Sequence, residues 1–169
     1  MRVLITHDEI VKMCERIGKE ITDKFRDKDP IVVCVLKGAS PFHSELIKHI
    51  DTDILVDYVQ FSSYSGTNTT GVVKLKKDMD IDVTDRDVIV VEDIIDTGLT
   101  MTTLDNILKT RNVRSVTYVT MLDKPSRRKV EFTADMVGQT IENLFVVGFG
   151  LDLDEKLRNL KDIYVYNED

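Results

Sequence analysis

The chain has 169 residues, 42% hydrophobic and 31% charged, a balance that suits one globular domain and excludes an intrinsically disordered chain. Its formal net charge of −7 argues against nucleic acid as a bulk partner, because neutralising phosphates takes a basic face; an anionic small substrate would need locally placed cations or a metal. No apolar run approaches the ~18 residues that span a bilayer, and the opening MRVLITHDEI turns acidic where a secretory signal stays apolar, so the expectation is no membrane and a cytoplasmic location.

Thr6 and Glu9 have the spacing of a capping box. Ile10, Cys14, Ile17, Ile21 and Phe25 then recur at three- and four-residue steps, which predicts an amphipathic helix closed by residues 27–30. IVVCVL at 31–36 is a short β-branched run, the pattern of a strand covered on both faces. Pro41 in the following KGASP suits the first turn of a helix reaching about residue 49. DILVDYVQF (53–61) predicts a strand, the small and polar SSYSGTNTTG (62–71) a loop, and VVKLKK (72–77) the returning strand of a long hairpin. DVIVVE (87–92) predicts a buried strand and DIIDTG a turn, after which TMTTLDNILKT predicts a helix with Met101, Leu104 and Leu108 on one side. SVTYVTML (115–122) predicts a further strand, and shorter ones are expected at 145–149 and 162–166. Cys14 and Cys34 fall in apolar runs and read as core thiols without disulfide or metal-ligand spacing. His7, His43 and His49 form no metal-binding pattern and read as surface or half-buried helix positions.

This alternation predicts an α/β fold with a mainly parallel sheet, in which ligands sit at the carboxyl ends of strands. That rule selects residues 37–40, 92–100 and 123–128. The richest of these is VVEDIIDTGLT (90–100). Its strand delivers two adjacent carboxylates, Glu92 and Asp93, suited to the hydroxyls of a ribose and to positive charge developing on the sugar ring. Asp96, Thr97, Gly98, Leu99 and Thr100 open a helix whose outward N–H groups can cradle a phosphate. D-T-G alone would be an ordinary acidic helix cap; the whole pattern on a strand–turn–helix frame is far more specific. Neither a GxxxxGK[ST] nor a GxGxxG pattern is present.

VEDIIDTGLT resembles the phosphoribosyl-pyrophosphate loop of type I phosphoribosyltransferases, in particular the 6-oxopurine branch that includes the hypoxanthine-guanine phosphoribosyltransferases. VLKG at 35–38, DYVQFSSYSG at 57–66, LDKPSRR at 122–128 and FVVGFGLDLDEKLRNL at 145–160 carry the same resemblance in the family's order. It implies that Leu36, Lys37 and Gly38 form the pyrophosphate-binding turn, whose Leu–Lys peptide is often cis in the family. Ser63 and Tyr64 match a mobile loop that closes over the site. Glu92 and Asp93 match the ribose and metal-water contacts, and Thr97, Gly98, Leu99 and Thr100 match the 5′-phosphate cradle. Asp96 matches the acid near purine N7, the expected general base. Lys124 matches the donor to the purine 6-oxo group, Phe145 the stacking aromatic with Ile94 opposite, and Val146 a backbone contact to the base. Asp152 matches a second Mg²⁺ ligand beside the base, and Arg128 and Arg158 match pyrophosphate-side cations. Alone, Lys124 would read as a solvated turn lysine and Phe145 as a core aromatic; their joint order overturns that reading.

The chain departs from familiar members at Leu99, where some relatives carry lysine, at Gln139, and at 153–157, which lack aromatics. These changes bear on base preference. The resemblance implies a core of about residues 30–127 and a small hood from about 1–29 and 128–169. It also implies Mg²⁺ as cofactor, a homodimer or homotetramer, and synthesis of IMP or GMP from hypoxanthine or guanine, with xanthine a further candidate base. The alternative is a regulator on the same fold that senses nucleotides and binds nucleic acid.

Overall fold

The computed structural model describes residues 1–63 and 73–167. Tyr64, most of the expected 62–71 loop and the side chain of Ser63 lie outside the described residues. The elements, in chain order, are β1 (Arg2–Ile5), α1 (His7–Phe25), β2 (Ile31–Leu36), α2 (Ser40–Ile47), β3 (Leu55–Ser63) and β4 (Val73–Lys77). They continue with β5 (Asp87–Ile95), α3 (Leu99–Thr110), β6 (Ser115–Asp123), a 3-10 turn (Pro125–Arg127), β7 (Met136–Thr140), β8 (Val146–Val147) and β9 (Ile163–Val165).

The main sheet has the order β4-β3-β2-β5-β6-β7, and a second, three-stranded sheet has the order β1-β9-β8. In the main sheet β3, β2, β5, β6 and β7 run parallel, and β4 returns antiparallel on one edge. Alternation along the strands serves two cores. Val32, Ile89 and Val91 face Ile10, Ile17 and Ile21 of α1 and Phe42 and Leu46 of α2. Val33, Val88 and Val90 face Met101, Leu104 and Leu108 of α3. The capping box of α1 is formed: the Glu9 amide donates to Thr6 Oγ1 (3.3 Å) and the Thr6 amide donates to Glu9 Oε2 (2.7 Å). Cys14 and Cys34 are free and fully buried, and burial pushes both thiols up to about 12. No helix among the described residues is long and apolar enough to cross a membrane.

The structure departs from the sequence reading at several points. β5 does not stop at Glu92 but runs on to Ile95, because Ile94 and Ile95 still pair with Leu122 and Asp123 of the equally long β6. β1 and β7 were not foreseen; both are short, and each exists through a distant partner, Val165 to Ile163 for β1 and β6 for β7. The small sheet is the counterpart of the expected hood, but it takes only β1 from the first 29 residues. α1 packs against the main sheet and β7 joins that sheet's edge. His43, read as a surface or half-buried position, is 1% exposed, with Nε2 3.4 Å from the Val32 carbonyl, and burial holds its pKa below the usual imidazole range.

Candidate active site

The carboxyl ends of β2, β5 and β6 open into three adjoining hollows, and Asp93 lines all three. The largest, about 500 Å³, lies between the β2–α2 turn and residues 152–158. The second, about 270 Å³, surrounds the start of α3. The third, about 230 Å³, is bounded by Ile94, Lys124, Phe145 and Val146.

In the first hollow the Leu36–Lys37 peptide is cis. Gly38 is needed there for space, since a Cβ on it would overlap the Asp93 carboxylate. Arg158 reaches into this hollow from the far wall. Its Nη1 donates to the Gly150 carbonyl (2.6 Å) and lies 3.4 Å from Asp152 Oδ1, while its buried Nε has no partner among the described residues. Lys37 and Arg158 are cations suited to a polyanion, and Lys76 of β4 adds a third to the lining. Glu155, also lining the hollow, accepts from both Lys37 Nζ (2.7 Å) and Arg158 Nη2 (2.9 Å).

Between the hollows sit Glu92 and Asp93. Glu92 is 8% exposed, and its Oε1 accepts from the Asp93 amide (2.9 Å). Burial, reinforced by the Asp93 charge, pushes the Glu92 carboxyl well above the usual carboxylate range. Burial also raises Asp93, an effect opposed by hydrogen bonds from Glu92 and the Ile94 amide and by the Arg158 charge. Two adjacent like charges, Glu92 buried and Asp93 half-buried, with so few donors are set to receive hydroxyl protons or a cation.

At the second hollow Gly98 takes φ 84 as the residue before α3, a left-handed conformation that turns β5 sharply into the helix. The first-turn amides of α3 have no acceptor within the helix and favour an anion. Thr97 Oγ1 accepts one of them, from Leu99 (3.3 Å).

The third hollow sets a cation, an acid and a ring around one space. Lys124 is 6% exposed and finds no hydrogen-bond acceptor among the described residues; the nearest carboxylate oxygen is Asp96 Oδ1 at 3.8 Å. That oxygen is itself buried and without a hydrogen-bond partner among the described residues. Phe145 leaves 49% of its surface open and is steadied edge-on by Tyr166, ring centres 6.0 Å apart. An unpaired donor, an unpaired acceptor and an open aromatic face together suit a planar heterocycle.

Most of the sequence candidates gather here; Leu99 lines none of the three hollows, Tyr64 and the Ser63 side chain lie outside the described residues, and Arg128 points away. Arg128 is engaged elsewhere: its Nη2 donates to Asp123 (2.6 Å), its Nη1 to the Ile95 and Asp96 carbonyls (both 3.1 Å), and its Nε to the Phe132 carbonyl (2.9 Å). It braces the β5 and β6 ends rather than facing the polyanion hollow. Lys76 and Glu155 escaped the sequence reading. Strand alternation in VKLKK was the only signal for Lys76, and nothing local distinguishes Glu155 from other surface acids.

A sequence model of the phosphoribosyl transferase domain family matches residues 4–154. The chain is 47% identical over 169 residues to the hypoxanthine-guanine phosphoribosyltransferase of Streptococcus thermophilus (strain CNRZ 1066), covering 99% of this chain and 94% of that protein. Among solved structures it superposes on a hypoxanthine phosphoribosyltransferase from Staphylococcus aureus with a TM-score of 0.94 at 40% identity, covering 99% of this chain and 91% of the other. A hypoxanthine-guanine phosphoribosyltransferase from Bacillus anthracis, crystallised with a HEPES molecule in its active site, matches with a TM-score of 0.94 at 40% identity, covering 99% of both chains. With the strand-end hollows arranged around Asp93 and near-complete coverage by such relatives, the chain belongs to the phosphoribosyl transferase family, in its hypoxanthine-guanine phosphoribosyltransferase branch.

Proposed function

We propose that the chain is a purine-salvage enzyme that makes IMP or GMP and pyrophosphate from hypoxanthine or guanine and 5-phosphoribosyl 1-pyrophosphate, with Mg²⁺ as cofactor. One observation carries the reading: Lys124 Nζ and Asp96 Oδ1, neither with a hydrogen-bond partner among the described residues, stand 3.8 Å apart beside Phe145 and directly next to the α3 N-terminus. A 6-oxopurine held there by stacking on Phe145 and Ile94, and by a backbone contact at Val146, presents its 6-oxo group to Lys124 and N7 to Asp96.

The reaction forms the N9–C1′ bond and breaks the bond from C1′ to the pyrophosphate oxygen. As C1′ gains oxocarbenium character, the Glu92 and Asp93 carboxylates hold the ribose hydroxyls and favour positive charge on the ring. Asp96 accepts the N7 proton as general base. Thr97, Gly98, Leu99 and Thr100 hold the 5′-phosphate, and Leu36, Lys37, Gly38 and Arg158 hold the pyrophosphate. The residues fit Mg²⁺, a hard cation that takes one or two carboxylates and completes its shell with water and phosphate oxygens. Glu92, Asp93 and Asp152 supply such oxygens, and no cluster of three or more acids, histidines or cysteines among the described residues forms a cage without substrate. When bound, Mg²⁺ neutralises the leaving group.

Base choice follows from Lys124, whose ammonium only donates. Adenine carries an amino donor at position 6 and would leave both groups unpaired, costing roughly 1–3 kcal/mol or more. Sites built on one hydrogen-bond pattern reject such analogues by about 10⁴. The test is product formation from phosphoribosyl pyrophosphate with hypoxanthine, guanine, xanthine and adenine in turn. IMP and GMP formation with negligible AMP is expected; efficient AMP formation overturns the role of Lys124 and the substrate class. Neither the site nor the relatives support a nucleic-acid-binding regulator. The same reading includes a cytoplasmic location and a homodimer or homotetramer, the latter measurable by light scattering.

A further inference from the structure

We propose that Glu155 is a resident counter-anion of the pyrophosphate subsite: its carboxylate occupies the cations that pyrophosphate must engage, and so limits how tightly that product is held. The proposal rests on the phosphoribosyltransferase reading above.

The Glu155 carboxylate bridges two walls of the first hollow. Lys37 belongs to the β2–α2 turn and Glu155 stands 118 residues further on, yet Lys37 Nζ donates to Glu155 Oε2 at 2.7 Å. The other oxygen, Oε1, accepts from Arg158 Nη2 at 2.9 Å. Each oxygen thus serves a different cation, as two oxygens of a phosphate group would. The turn that presents Glu155 is well held. Its amide donates to Asp152 Oδ2 (2.8 Å), and Leu153 and Lys156 exchange backbone hydrogen bonds of 3.0 and 2.9 Å around it. Asp154 and Glu155 take φ 50 and φ 68, left-handed backbone that L side chains adopt rarely, so the turn is a specific conformation rather than a relaxed one.

The Lys37 and Glu155 side chains are 55% and 62% exposed, so the pair is solvent-screened and weak. It is therefore displaceable by an anion with more charge and more oxygens. Binding of phosphoribosyl pyrophosphate exchanges the Glu155 contacts for phosphate contacts. Departure of pyrophosphate restores them, which keeps Lys37 and Arg158 from retaining the product.

Glu155→Gln keeps the shape and removes the charge. The purified protein and this variant are titrated with pyrophosphate by calorimetry, with and without Mg²⁺, at low and high salt, alongside an assay of IMP formation. The variant is expected to bind pyrophosphate about two- to five-fold tighter at low salt, the scale of an exposed ion pair. The gap is expected to close as salt screens the competition. A purely structural role for Glu155 would weaken binding when lost, so the direction of the change decides. Equal or weaker binding overturns the proposal, as does a loss seen only with Mg²⁺, which would make Glu155 a metal-side residue. Glu155→Ala, which also removes the charge, is the second variant should the first fail to fold, and the same tightening is expected of it. An active wild-type protein whose variants show no tightening sinks this proposal alone; an inactive one sinks the functional reading.

Discussion

Glu92→Gln should make the protein more stable and less active, with a stability gain that depends on pH in a defined direction. Glu92 is 8% exposed, its Oε1 accepts from the Asp93 amide, and its nearest charged neighbour is another carboxylate. Burial and that neighbour raise its pKa in the folded state above the ordinary 4.5. Below that ordinary value the group is protonated in folded and unfolded chains alike and costs nothing. As pH rises towards the folded-state pKa, the unfolded chain ionises first and is favoured; above it the penalty is complete. Glutamine keeps a carbonyl oxygen for the Asp93 amide and never ionises, so it removes the penalty. The gain should reach about 1–2 kcal/mol near neutral pH, the upper part of the usual range for a single stabilising substitution. At this chain length that is a rise in melting temperature of roughly 2–8 °C. The assay is thermal melting of wild type and variant from pH 4 to 8, with chelator and without substrate, so that no cation neutralises the pair. A gain that is absent at pH 7.5, or equally large at pH 4, would refute the electrostatic account of this carboxylate pair. Turnover should fall in the same variant.

Asp96→Asn should retain affinity for phosphoribosyl pyrophosphate while lowering kcat by roughly 10²–10⁴, the scale for a lost general base; unchanged kcat across the pH range would remove Asp96 from that role. Gly38→Ala drives a Cβ into the Asp93 carboxylate, so a loss of about 1–3 kcal/mol in stability is expected together with weaker binding of phosphoribosyl pyrophosphate, both read from melts and KM. Arg128→Leu strands the Asp123 carboxylate, in a pair whose side chains are only 16% and 12% exposed, and should cost about 3–5 kcal/mol of stability. Its folded fraction should show an unchanged KM for phosphoribosyl pyrophosphate; a raised KM with normal stability would return Arg128 to the pyrophosphate side.

The parts of this protein legible in its sequence are those whose signals are local. α1 announces itself through a capping box and a 3.6-residue stripe, and β2 and β5 through continuous β-branched runs that only a sheet covered on both faces accommodates. The acids and the proposed phosphate cradle at 92–100 are contiguous, so strand, turn and helix N-terminus could be read as one chemical unit. Elements defined by a distant partner were invisible: β1 exists because β9 pairs with it, and β7, with its Gly138 and Gln139, because β6 offers a free edge. His43 carries no local mark of burial; α2 buries it by docking beneath α1 against the sheet. The same holds within the site. The family resemblance put Arg128 among the pyrophosphate-side cations, whereas packing turned its planar, five-donor guanidinium onto Asp123 and nearby carbonyls. The Lys37–Glu155 contact spans 118 residues, and no periodicity or motif links such positions. Propensity and pattern act over a few residues; which cation meets which carboxylate across a cleft is decided only when the sheet has closed and burial has limited the partners within reach.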